Sequence, residues 1–580
     1  MPEPRSIRDL DLRPISGKSY WNCHREWREE FIYFLMVDRF HDGDERRPRS
    51  GPERARPAGL DARQLRRFCG GTLRGITRHL DYIRDLGCTA LWLSPVFEND
   101  DSPNRESGSY HGYAIRNYLA VDPRFGTRED LVRLVDEAHR CGMRVFLDAV
   151  ANHCGDAWYY PDDVPYFYSD DGRQFDLGGW RHPDYPVPVE LRRPEYFHRR
   201  GEIRAWGWDR IPETQRGDFF GLKGFNNDED AAGLALQRIV IDAHRYWMRE
   251  ADIDGYRMDA VKHMGELAVA RFCQAMREYA YALGKNEFFL FGELVGGDEA
   301  IHRYTGPNTV GRARSQTILY GLSSVLDFPL WWVLPGVIKG FTAPPQLFSR
   351  YEALHEHGMQ RGELGNYLVT FADNHDQIGQ DWKRRFATGA DDRQVIAGIG
   401  YLICAVGTPC IYYGTEQGLG GEGPGDEYVR EPLFDLGDPA RDDLNRDCRI
   451  YRGIAAIAKI HREQPALRFG RMYFRETSSD GRGFALPQEQ PCVLAFSRIV
   501  ADDEVLVAYN TSTTERRVEH VIVDADQLRP EGRMRFLFRG GEAAADGSLG
   551  DVVVLRHPDP GNESRFVRLE LEPMEFVILR

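Results

Sequence analysis

The chain lacks the usual marks of a disulfide scaffold, a membrane protein or a nucleic-acid binder. Its ten cysteines are scattered through 580 residues with no C-x-x-C pair. Cys88, Cys404 and Cys410 sit in apolar segments, where the expected state is a reduced core thiol. No apolar run reaches the ~18 residues of a membrane span. Tyr401–Gly414 comes nearest, but two glycines and a proline interrupt it. The opening MPEPRSIRDLDLRPI has no apolar h-region, so the expectation is a cytoplasmic protein. Positive charge is in deficit, with a formal net charge of −15. That argues against nucleic acid or an anionic membrane as the main partner, and it suits a neutral ligand. There is no internal repeat and no low-complexity tract.

What is present is a soluble globular mix, 42% apolar and 28% charged, on a chain too long for one ordinary domain. Short apolar runs alternate with amphipathic stretches. FIYFLMVDRF (31–40), TALWLSPV (89–96), MRVFLDAV (143–150), GYRMDAV (255–261), FFLFGELV (288–295), SVLDFPL (324–330), NYLVTFADNHD (366–376) and TPCIYYGTE (408–416) read as strands. Helical patterns separate most of them, such as REDLVRLVDEAHRCG, which Gly142 stops. Strand–helix alternation implies parallel strands, and about eight units predict an α/β fold, a (β/α)8 TIM barrel. Periodicity alone also admits an open doubly wound sheet.

One spacing is out of scale. Residues 151–230 separate the third strand from the next helix and hold Trp158, Tyr159, Tyr160, Tyr166, Phe167, Tyr168, Trp180, Trp206 and Trp208. So long a stretch without structure of its own is improbable, so an inserted small domain is expected. After Pro465 the pattern changes to strand-like runs with turns between them, which predicts a C-terminal antiparallel β-sandwich. The expected domains are a barrel from 1–150 and 231–464, an insertion at 151–230, and a β-domain at 465–580.

The stretch GYRMDAVKH (255–263) poses the chemical question. On a strand, Arg257 and Asp259 point the same way, inside what should be core. A buried charge is costly unless paired. Similar residues fall at other strand ends: Asp148 with Asn152 and His153, then Glu293, then His375 with Asp376. In a barrel those ends converge on one mouth, where catalysis sits. Singly, each has an ordinary explanation: a helix N-cap, a structural ion pair, a core histidine. Jointly they point to a site. Two carboxylates can cleave a glycosidic bond, whereas a hydrolytic metal site usually asks for more histidines. Aromatic rings suit the C–H faces of sugars.

DAVANH (148–153), GYRMDAVKH (255–263), GELVG (292–296) and FADNHD (371–376) resemble, in order, the four signature segments of the α-amylase family, glycoside hydrolase family 13. LWLSPV (91–96), YHGY (110–113) and GTPCIYYGTE (407–416) add weaker matches, and the resemblance covers roughly residues 28–580. It implies Asp259 as nucleophile, Glu293 as acid then base with a raised pKa, and Asp376 as binder of ring hydroxyls. It implies that Arg257 pairs with Asp259 and that Asp148 holds Arg257. It places His111, His153, His375 and Tyr113 on the sugar, and Lys262 and His263 on the leaving-group side. Phe220 aligns with an aromatic that cyclodextrin-forming relatives use to guide the chain.

Calcium is left open by the resemblance. Asn152 matches one ligand, but Gly224 in LKGFN stands where Asp is expected. Asp42 and Asp44 fit a second loop, but Thr72 replaces its Asp. No organic cofactor is implied. The expected activity is retaining hydrolysis of α-1,4-glucans or maltooligosaccharides. The alternatives are an α-glucanotransferase with the same residues or an α-glucosidase on small α-glucosides. The expected domains include none of the extra starch-binding domains of cyclising enzymes, so hydrolysis is the expectation. A binding subunit without catalysis is disfavoured because Asp259, Glu293 and Asp376 are all present.

Overall fold

A computed structural model describes residues 3–43, 65–100, 108–162, 166–168, 172–308, 319–361, 364–434, 444–526, 531–544 and 547–580. Eight parallel strands form one sheet: β1 (Ile32–Leu35), β2 (Ala90–Leu93), β3 (Arg144–Ala149), β4 (Gly255–Met258), β5 (Phe289–Gly292), β6 (Ser324–Val325), β7 (Val369–Phe371) and β8 (Thr408–Tyr412). They hydrogen-bond in the order β6-β5-β4-β3-β2-β1-β8-β7. A parallel bridge between Leu326 and Val369 joins the two ends, with Asp327 N donating to Val369 O at 2.9 Å. The barrel is closed, and the open-sheet alternative falls.

The strands are buried on both faces, which explains their near-continuous apolar runs. Helices cover them from outside. Arg128–Arg140 begins with a capping box in which Thr127 and Asp130 satisfy each other's backbone N–H. Ala231–Ala251 starts on Asp230, whose side chain accepts from Gly233 N.

Two of the expected strands turn helical part-way along their apolar runs. FIYFLMVDRF holds a strand only over Ile32–Leu35, then turns helical at Val37–Phe40. The buried Asp38 must find donors, and it accepts from Cys69 N and Gly70 N at 2.8 and 3.0 Å. SVLDFPL is a strand only at Ser324–Val325. Asp327 caps the next turn by accepting from Leu330 N, and Pro329 fits a first helical turn.

Between β3 and the helix Ala231–Ala251 the chain makes two small antiparallel pairs. His153–Cys154 pairs with Lys223–Gly224, and Trp158–Tyr159 with Gly179–Trp180. Beyond residue 470 the strand pairs among the described residues are all antiparallel. Val493 and Leu506 from one end of that sheet share a core with Val521 and Val567 from the other end, so the sheet folds back on itself.

Candidate active site

Register builds the centre. Arg257 on β4 lies beside Asp148 on β3, and neighbours in register on parallel strands point to the same face. Arg257 is fully buried, and its Nη1 donates to Asp148 Oδ1 and to Asp259 Oδ1, both at 2.8 Å. Its Nη2 lies 2.9 Å from Glu293 Oε2. One guanidinium therefore gathers three carboxylates from the ends of β3, β4 and β5.

Other donors complete the shell. Trp92 Nε1 and Tyr113 Oη donate to Asp148 Oδ2 at 3.2 and 3.0 Å. Ala260 N donates to Glu293 Oε2 at 3.2 Å; Ala260 itself is left-handed, with φ of 50°. Tyr113 Oη is 2.8 Å from His375 Nε2, which lies 3.2 Å from Asp376 Oδ2. Arg430 Nη2 donates to Asp376 Oδ1 at 2.5 Å.

The charges are unbalanced. Four carboxylates, Asp148, Asp259, Glu293 and Asp376, face the two guanidinium groups Arg257 and Arg430. Burial, partly opposed by Arg257, pushes Asp259 and Glu293 up to about 7. Burial likewise raises Asp148, to about 6. Asp376 goes the other way. Burial acts to raise it, but His375, Arg430 and Arg257 together hold it down near 2. The site thus separates carboxyls that retain a proton from one that stays ionised.

The histidines are neutral reservoirs of hydrogen bonds. Burial lowers His153 to about 4 and His375 to about 3. Among the described residues, His153 Nε2 and His375 Nδ1 find no hydrogen-bond partner. His111 Nδ1 accepts from Tyr113 N at 3.0 Å, and its ring stacks on Tyr113 at 5.8 Å.

A second group lies beside this centre. Lys262 Nζ pairs with Asp209 at 2.7 Å. His263 Nδ1 lies 2.7 Å from Thr214 O, and its ring is 4.2 Å from Phe219 and 5.5 Å from Trp208. Phe220 packs 5.1 Å from Trp208 yet remains 77% exposed. Its φ of 46° is left-handed, so the backbone turn holds the ring outward.

The sequence motif of the alpha amylase catalytic domain matches residues 34–449. The chain belongs to the alpha-amylase family. An "Alpha-amylase" of Streptomyces lividans is 30% identical over 85% of the chain, and the chain spans 56% of that protein. The crystal structure of the Geobacillus thermoleovorans alpha-amylase complexed with acarbose superposes with a TM-score of 0.66 at 25% identity, covering 96% of this chain and 99% of that one. CldA, described as a cyclomaltodextrin glucanotransferase with a three-domain ABC distribution, gives 0.68 at 25% identity, covering 95% and 98%. A three-domain transferase of this family removes domain count as a sign of hydrolysis.

Within this alpha-amylase fold the calcium positions differ from the expected ligand sets. A side chain at Gly224 would meet Gly217 O at 3.1 Å and Asp218 Oδ1 at 3.4 Å. Asp218 is already committed to Tyr160 Oη and Gly224 N. Asn152 Nδ2 lies 3.4 Å from His153 Nδ1, and Asn152 O accepts from Phe225 N. At the other loop, Thr72 Oγ1 donates to Asp42 O at 2.9 Å, and Arg78 Nη1 donates to Gly43 O. Asp44 lies outside the described residues. Among the described residues no group of three or more His, Cys, Asp and Glu side chains converges as a metal site, and no helix is long and apolar enough to cross a membrane.

Sequence reasoning missed Arg430, Trp92, Asp209 and Thr214. Arg430 lies in GDEYVREPLFD, which has no periodicity and matches no quoted segment. Trp92 was within a quoted strand, but its indole N–H has a role only once β2 lies beside β3.

Proposed function

We propose that the protein is a retaining α-glucan-cleaving enzyme acting on α-1,4 bonds of maltooligosaccharides or starch-like chains. The observation that carries this reading is the single guanidinium of Arg257 in contact with Asp148, Asp259 and Glu293, with an ionised Asp376 alongside. In this reading Asp259 attacks the anomeric carbon while Glu293 passes its proton to the departing oxygen. The bond to the leaving sugar breaks as the Asp259 ester forms. Glu293, now a carboxylate, takes a proton from water, and the water displaces Asp259. Two inversions restore the α-configuration. Asp376 and the unpartnered nitrogens of His153 and His375 would meet the hydroxyls of the ring being cleaved. Tyr113 would lie beneath that ring, and Lys262, His263 and Phe220 would receive the leaving portion.

Water and a sugar hydroxyl compete for the same intermediate. The exposed Phe220 beside Trp208 favours a second reading, transfer to a sugar acceptor, because an aromatic platform there holds an acceptor chain. Maltoheptaose digestion separates the two. Shorter oligosaccharides with one new reducing end per cut support hydrolysis. Products longer than the substrate, or cyclic ones, with few new reducing ends support transfer. No products at all would overturn α-1,4 cleavage.

We read the described residues of the two calcium loops as a poor fit to the ion; Asp44 lies outside them. Gly224 offers no carboxylate, and the carbonyls of Asp42 and Gly43 already accept from Thr72 and Arg78. A hard cation needs several free oxygen ligands.

A further inference from the structure

Asp376 is held by more than its own strand end. Arg430 Nη2 donates to Asp376 Oδ1 at 2.5 Å, while Arg430 Nε donates to His375 O at 2.8 Å. One planar group thus grips both the side chain and the adjoining backbone, which fixes the carboxylate's rotation as a point charge would not. Arg430 is itself nearly buried, and its Nη2 lies 3.5 Å from Asp426 Oδ2. Lys383 braces the arrangement from the short strand Lys383–Arg384. Its Nζ donates to Asp376 O at 2.7 Å and stands 3.2 Å from Asp426 Oδ1.

The other groups facing Asp376 are His375, Arg257, Asp259, Glu293 and Tyr113. Burial keeps His375 neutral above about 3. At working pH the charge against the Asp376 carboxylate therefore comes from guanidinium groups, with the Lys383 ammonium at its backbone carbonyl. Arg257 is already in contact with three other carboxylates, which leaves Arg430 as the direct partner.

We propose that Arg430 is a positioning residue: its guanidinium fork, bonded to the Asp376 carboxylate and to His375 O, fixes the rotation of Asp376 and sets a cation directly against it. This rests on the glycosidase reading above.

The test compares wild type with Arg430→Gln and Arg430→Lys on maltoheptaose across pH. Arg430→Gln is expected to lose about tenfold or more in kcat, the scale of a lost electrostatic contact at a reacting centre. KM should change less. The acid limb of its kcat/KM profile should steepen from one proton to two, because Asp376 then titrates alongside Asp259. Arg430→Lys keeps the charge without the fork, so it should keep a one-proton limb with a lowered kcat. An unchanged kcat and limb in Arg430→Gln would overturn the proposal. Should Arg430→Gln not fold, full kcat in Arg430→Lys would overturn it. An inactive wild type would instead defeat the glycosidase reading, and this proposal with it.

Discussion

Arg257 Nη1 stands 2.8 Å from Asp259 Oδ1, and both side chains are buried. The pair is not isolated, because the same guanidinium also touches Asp148 and Glu293. It acts less as a salt bridge than as the cation shared by Asp148, Asp259 and Glu293. Replacing Arg257 by Met leaves those carboxylates buried without it. The expected cost is about 3 kcal/mol or more, the usual range for removing one partner of a buried pair. A fall in the thermal unfolding midpoint checks this, and an unchanged midpoint would contradict it.

The two carboxyls raised to about 7 set the pH profile. Asp259 must be ionised to attack, so activity falls as pH drops below its raised value. Glu293 must be protonated to donate, so activity falls as pH rises through its own. The expected kcat/KM curve is a narrow bell near neutrality whose two limbs belong to the pair. A plateau reaching down to ordinary carboxylate values would contradict it.

The same burial costs stability. A carboxyl raised on folding binds more protons in the native state than in the unfolded chain. Stability therefore falls as pH rises from the unfolded pKa of Asp259 to the folded one, and the full cost is felt above about 7. Asp259→Asn removes that cost. The variant should unfold at a higher temperature than wild type above neutral pH, and the gap should close in acid. Equal midpoints at all pH values would contradict this.

The calcium loops give a prediction independent of turnover. Excess chelator should leave the thermal unfolding midpoint unchanged, and elemental analysis of the dialysed protein should find no stoichiometric calcium. A chelator-dependent fall restored by calcium would show that Asn152 or the Asp42 loop binds the ion after all.

Much of this was legible in the sequence because barrel strands declare themselves twice, as apolar runs and as runs that end in charge. GYRMDAVKH and DAVANH carried both signals, so their strands and the convergence of Asp148, Arg257 and Asp259 followed. SVLDFPL misled because a Pro and a capping Asp end the strand within an unbroken apolar run. Arg430 was invisible because its partner lies 54 residues away, beyond a helix and a strand, a distance that no local period encodes. The proposal against calcium rests on hydrogen bonds from Thr72 and Arg78, which depend on how loops meet.

The central claim is that Asp259 forms a covalent bond to sugar after Glu293 protonates the leaving group. An α-maltosyl fluoride carries a leaving group that needs no such proton, so Glu293→Gln should still take the first step and stall before the second. Mass spectrometry of that variant after exposure to the fluoride should find a maltosyl adduct on the peptide holding Gly255–His263, at Asp259. The double variant with Asp259→Asn should carry none. An adduct elsewhere, or none in either protein while wild type cleaves maltoheptaose, would contradict the account.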